Sequence, residues 1–237
     1  MDNARPCVAG AVIKEMDKHY FQLAHHDPGF LHAKWVSLAS QYAPNPSLIE
    51  ILFNSIAEHY SAKNRAYHNL SHIQSLLALS ETLLDNIQNR DALYFAIWFH
   101  DVIYDAKRSD NEEKSAEFAV EALSGLGVPE QTIATVREMI LATKHHRGAG
   151  LSWDIKAFLD LDTSILGAPE EIYKEYSRAI RKEYSWVPDF LYRKGRMKVL
   201  NDFLGRERIY HTEEIGTRYE TQARQNIAEE IRALSDK

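Results

Sequence analysis

The chain has 237 residues, 45% of them hydrophobic, with a formal net charge of -6 and a pI near 6.0. That length suits one sizeable core, in one domain or a domain with appended helices, and the acidic balance argues against a general electrostatic grip on nucleic acid while leaving room for a local basic pocket. Cys7 is the only cysteine, which excludes an intrachain disulfide framework and a cysteine-ligated zinc site; with no signal-peptide pattern and no run of membrane-span length, a soluble cytoplasmic protein is expected.

Residues 1–29 are expected to form a partly helical N-terminal segment, with His25 and His26 in a polar turn before Pro28-Gly29. Leu31, Trp35, Leu38, Ala39 and Tyr42 then recur at helical spacing. Pro44 and Pro46 interrupt the pattern before Leu48, Ile49, Leu52, Ile56 and Tyr60 begin another helix. Ser71 reads as the N-cap of a helix carrying His72, Leu76, Leu77 and Leu79, and Asp91 as the cap of one running through Ala96, Trp98 and His100. Asp110, Asn111, Glu112 and Glu113 place caps and negative charge before Ala116, Phe118, Ala119 and Ala122. Gly125 and Gly127 close that helix, and Pro129 opens the next through Ile133, Val136, Ile140 and Leu141.

After Gly148 and Gly150, a short connector leads to the apolar run Phe158-Leu159, which delivers Asp160 and Asp162. Pro169-Glu170-Glu171 starts a helix containing Ile172, Tyr173, Tyr176 and Ile180, and Pro188 separates it from Phe190, Leu191, Met197, Val199, Leu200 and Phe203. From Thr212, the pattern Ile215, Tyr219, Ala223, Ile227, Ile231 and Leu234 predicts a long closing helix. No sustained period-two pattern, glycine-rich phosphate loop or internal repeat occurs, so the expected fold class is all-α.

Trp98-Phe99-His100-Asp101-Val102 sets a histidine beside an aspartate in an apolar, helix-like run, where either side chain is costly to bury unpaired. A shared divalent ion offsets that cost, since imidazole nitrogen and carboxylate oxygen both suit it. On a regular helix adjacent side chains diverge by about 100°, so an ion common to His100 and Asp101 has to sit in a cleft between helices, with ligands arriving from elsewhere. His68 and His72 lie upstream and Asp160 and Asp162 downstream. Asn69 and Ser71 place His72 on the first turn of its helix and His68 just before it, where His68 reads equally well as a capping or supporting residue.

The order His72, His100-Asp101, Asp162 resembles that of the HD superfamily of metal-dependent phosphohydrolases. The segments YHNLSHI, FHDVIYD, NEEKSA, ILATKHH, FLDLDTSILG and IRKEY are similar to those of one bacterial branch of that superfamily, and the similarity runs from about Phe30 through the final helix. It implies an HD-like helical bundle over residues 30–237 with a C-terminal helical extension. It also implies a metal held by His72, His100, Asp101 and Asp162, with Asp160 as an alternative ligand or a support. The metal is one of Mn, Fe, Co, Ni, Zn or Mg, and one ion is more economical than two because no histidine lies between His100 and His145. The expected activity is hydrolysis of a small phosphorylated metabolite, a nucleotide above all, by metal-activated water; a non-catalytic nucleotide sensor is the alternative.

Within such a site, Asp105, one helical turn beyond Asp101, and Glu112 are the acidic candidates for proton transfer, joined by His146 as a catalytic candidate. His68, Lys144, His145 and Arg147 are candidates to contact substrate, because cations and imidazoles stabilise a transferring phosphoryl group. Arg178, Arg181 and Arg196 are further candidates that read as well as solvated helix surface. Trp35, Trp98, Trp153 and Trp186 read as core or rim residues, one of which can stack on a base. Neither general nucleic-acid binding nor a membrane partner is expected, and a homodimer stays open.

Overall fold

The computed structural model describes Tyr20, Phe21, Leu23 and residues 25–236. Cys7 and most of the expected N-terminal segment lie outside these residues. Ten α-helices and one 3-10 turn make up the described part, with no strand among its residues, as an all-α class requires.

Short polar side chains set most of the helix starts. Asp27 accepts the N–H groups of Gly29 and Phe30 at 2.8 and 3.1 Å and opens α1 (Pro28–Ala39); Asn45 accepts that of Ser47 at 3.0 Å and opens α2 (Pro46–Tyr60). Asn69 caps α3 (Leu70–Ser80) through the N–H of Ser71 at 2.8 Å, and Asn89 caps α4 (Arg90–Phe99) through that of Ala92 at 2.9 Å. Both differ from the sequence expectation. Ser71 is instead a buried residue inside the first turn of α3, and Asp91 accepts a 2.5 Å hydrogen bond from the Tyr42 hydroxyl.

Then follow α5 (Asn111–Leu126) and α6 (Glu130–Ala142). Gly127, at φ 82°, ends α5 in the left-handed region that favours glycine. The expected cap Asp110 precedes α5 but makes no capping hydrogen bond, its carboxylate being held by Arg108. Ser152 caps α7 (Trp153–Thr163), which runs into the 3-10 turn Ser164–Gly167. Then come α8 (Glu170–Glu183), α9 (Asp189–Leu204) and the long α10 (Glu213–Ser235).

The core is built around α4, in which Ala92, Leu93 and every residue from Phe95 to Phe99 are buried. It packs against α3, α5, α6 and α7, so it is apolar except at Arg90, Asp91 and Tyr94, which keep some contact with solvent. Trp35 of α1 meets Phe95, Trp98 and Phe99 edge-on, with ring centres 5.7 to 6.3 Å apart, and its indole N–H donates to the Ile49 carbonyl at 2.9 Å. No helix among the described residues is long and apolar enough to cross a membrane.

The 3-10 turn lies directly on α10. A Cβ on Gly167 would sit 2.5 Å from Tyr219 Cβ and 2.8 Å from the Tyr219 carbonyl oxygen, closer than packed atoms approach. Gly167→Ala is therefore expected to cost about 1–3 kcal/mol by pushing the turn off α10. Urea denaturation checks it; an unchanged midpoint shows that the turn shifts freely.

Candidate metal centre

His72 is the third residue of α3, fixed there by the Asn69 cap. His100 follows the last residue of α4, its backbone N–H still bonded to the Ala96 carbonyl at 2.9 Å, and its ring Nδ1 lies 3.0 Å from the Ile97 carbonyl oxygen. With the Nδ1 proton donated to that carbonyl, Nε2 carries the lone pair of the neutral ring. It points at Nε2 of His72, 3.2 Å away. Because α4 ends at Phe99, Asp101 lies in a turn rather than on a helix, and the divergence expected for helical neighbours does not arise. Its Oδ2 comes within 3.1 Å of His100 Nε2. The backbone around Asp101 is pinned by its own N–H, which donates to Tyr60 Oη at 3.2 Å, and by Arg65. The Arg65 guanidinium donates to the carbonyls of Asp101 and Val102 at 2.6 and 2.9 Å and to that of His68 at 3.2 Å.

Asp162, next to last in α7, supplies the other side. Its Oδ1 is 3.2 Å from His72 Nε2 and 3.5 Å from His100 Nε2, and its Oδ2 is 2.8 Å from Nε2 of His146. His146 closes the turn after α6 at φ 47°, a left-handed backbone that a non-glycine residue adopts uncommonly. Burial pushes the Asp162 carboxyl up, but hydrogen bonds from His100, His146 and His72 outweigh it and hold the group well below the carboxylate range. Burial likewise opposes charge on His100, whereas Asp101 and Asp162 raise its pKa well above 6.5; His72, buried and facing His100, is lowered.

The donor atoms of His72, His100 and Asp162 all lie within 4.8 Å of one another, and the two histidines are 3% and 1% exposed. Two nitrogens and an oxygen, converging in a buried space with one ring oriented by a backbone carbonyl, form a donor set that fits a divalent ion. Asp101 adjoins the group through His100. No known family, curated protein or solved structure matches the chain.

His68 stands beside the cluster, its Nε2 4.0 Å from Asp101 Oδ2. Its other nitrogen, Nδ1, lies 2.7 Å from Oε2 of Glu183, which also accepts the Tyr104 hydroxyl at 2.9 Å. The second oxygen, Oε1, accepts the backbone N–H groups of Ala66, Tyr67 and His68 at 2.7 to 3.0 Å. Burial opposes ionisation of Glu183, yet His68 and these N–H groups bring its pKa from 4.5 to about 2. Glu183 in turn, with Asp101, overcomes the burial of His68 and raises the pKa of that imidazole. Sequence reasoning did not single out Glu183, Arg65 or Tyr104. The one signal for Glu183 is its place in the segment IRKEY.

A cleft of about 610 Å³ opens onto this cluster and is lined by His68, Glu112, Lys144, His146 and Asp162. The remaining expected site residues lie differently. Asp105 is not a turn of helix beyond Asp101 but in the following loop, where its carboxylate accepts the Lys107 N–H at 3.0 Å. His145 is exposed, and Arg147 forms a surface ion pair with Asp202 at 2.7 Å. Lys144 is held by Glu113 and by the Ser109 carbonyl. Arg178 faces a separate hollow on the α8–α10 surface that contains no histidine; Arg181 binds the Tyr184 and Val187 carbonyls. Arg196 forms a buried pair with Glu230, at 2.9 and 3.1 Å. Asp160 points away from the histidines. It accepts the N–H groups of His211 and Thr212 at 2.7 Å and the Thr212 hydroxyl at 2.6 Å, fastening α7 to the start of α10.

Proposed function

We propose that the protein is a metal-dependent phosphohydrolase of the HD type, acting on a small phosphorylated metabolite, with a nucleotide as the class that the sequence resemblance implies. The observation that carries this is the convergence of His72, His100 and Asp162, with Asp101 alongside, at the base of an open cleft. These four residues would hold the ion, which when bound polarises a phosphoryl oxygen and eases deprotonation of water at neutral pH. Around it the chain supplies the rest. His146, on Asp162 and facing the cleft, can hold a proton for the leaving oxygen. His68, oriented by Glu183, presents Nε2 toward Asp101 and the cleft, and Lys144, paired with Glu113, stands at the cleft wall.

Elemental analysis of the purified protein, coupled to phosphate release from a panel of nucleotides and phosphomonoesters with Mn, Mg, Co, Ni or Fe added separately, tests this. Metal-dependent release that disappears in Asp101→Ala is expected. His146→Ala is expected to keep its first metal and lose roughly 100-fold or more in kcat; loss of the metal itself makes His146 a ligand. Metal and nucleotide bound without release marks a sensor instead, and a wild-type protein that binds no metal sinks the proposal.

A further inference from the structure

The wall of the cleft away from the metal cluster has a different character. It is formed by Tyr184, Trp186, Leu191, Tyr192, Val199 and Phe203, from the end of α8, the following connection and α9. Three of these are solvent-exposed apolar side chains: Trp186 is 52% exposed, Leu191 48% and Val199 49%. Large apolar groups left in water beside a polar site are informative, because they gain by covering an apolar part of whatever enters. Lys107 approaches the Trp186 ring at 5.7 Å, so the ring already takes part in a cation-π contact.

The cleft is also short of free positive charge. Lys144 and Arg196 are the only lysine and arginine among its described lining residues, and both are committed, to Glu113 and Glu230 respectively. Glu112 and Asp162 line the same space with opposite charge. A di- or triphosphate chain needs several forked or flexible cations to hold it, and the lining residues offer none unpaired, with Lys107 on the Trp186 ring standing at the edge of the wall. One polar group does lack a partner. The hydroxyl of Tyr192, a residue only 7% exposed, is buried without a hydrogen bond. Burial raises its pKa to about 12, so it remains a donor at neutral pH. An orphaned buried donor is costly unless a ligand satisfies it.

Resting on the phosphohydrolase reading, we infer that the substrate carries a single phosphate on a flat aromatic body with a hydrogen-bond acceptor. The phosphate faces the histidine cluster, the ring lies along the Trp186–Leu191 wall, and Tyr192, which lines the cleft with its hydroxyl covered, turns to donate to the acceptor. Phosphate chains are disfavoured.

Calorimetric titration of the Mn-loaded protein with phosphonates, which cannot be hydrolysed, tests this without relying on turnover. The probes are methylphosphonate, phenylphosphonate, phenylphosphonates with an acetyl group at each ring position, and inorganic triphosphate. Phenylphosphonate is expected to bind about tenfold tighter than methylphosphonate, and one acetyl isomer tighter again, with triphosphate weaker than either. Trp186→Ala should remove the advantage of the ring and Tyr192→Phe that of the acetyl group, each leaving methylphosphonate binding unchanged. Binding of methylphosphonate as tight as that of every aryl probe, or a preference for triphosphate, overturns the inference alone. A metal-loaded protein that binds no phosphonate overturns the phosphohydrolase reading with it.

Discussion

Asp162→Ala is expected to purify without its metal, and to lose more affinity than the roughly 10- to 100-fold that follows removal of a group merely supporting a ligand. The carboxylate touches His72, His100 and His146 at 2.8 to 3.5 Å. Removing it leaves three imidazoles facing one another with no oxygen donor on that side. Elemental analysis after exhaustive desalting reads the result directly. Asp160→Asn provides the contrast, two residues away on the same helix. Its carboxylate serves Thr212 and His211, so the substitution should lower the denaturation midpoint while the protein keeps its metal. The opposite ranking would move the ligand to Asp160.

Glu183→Ala is expected to destabilise the metal-free protein by about 3–5 kcal/mol, as removal of one partner from a buried, hydrogen-bonded charge pair does. Its side chain is fully buried, and five donors lose their acceptor at once: three backbone N–H groups, the His68 ring and the Tyr104 hydroxyl. Glu183→Gln should recover part of the loss, since its amide oxygen can still accept from the backbone while its NH2 cannot accept from Tyr104. The sign with pH follows from the depressed pKa. The stabilisation is present above the ordinary value of 4.5 and fades as pH falls from there toward about 2, so the gap between wild type and Glu183→Ala narrows over that interval. Denaturant titrations at pH 7 and pH 3 measure it. A loss under about 1 kcal/mol at pH 7 would show that water replaces the carboxylate at little cost.

The helix order was readable from the chain because prolines and glycines punctuate it. Pro46, Pro129, Pro169 and Pro188 stand at or just before helix starts, and Gly127 ends one. The caps were less readable. Asn69 and Ser71, like Asn89 and Asp91, are pairs in which either residue type can accept an N–H two or three positions on, and only the backbone angle at the cap decides between them. The same uncertainty of a few residues governed the His100-Asp101 pair. Hydrophobic periodicity continued the helix through Asp101, but α4 ends at Phe99, and that difference brings the two side chains together and removes Asp105 from their face. Glu183 had no local signature. Its partners lie 115 to 117 residues away in the loop around His68 and 79 away at Tyr104, and a carboxylate near the end of a helix reads as an ordinary exposed charge until the fold buries it.

The tie between Asp160 and Thr212 also orders events in time. The aspartates on α7 are made before the segment that supplies the three donors to Asp160, 51 and 52 residues further along the chain. Until that segment has been synthesised and docked, Asp160 lacks the three donors that offset its burial on α7. A chain interrupted before residue 211 thus carries most of the helices but not the three donors that fasten Asp160, two residues before Asp162.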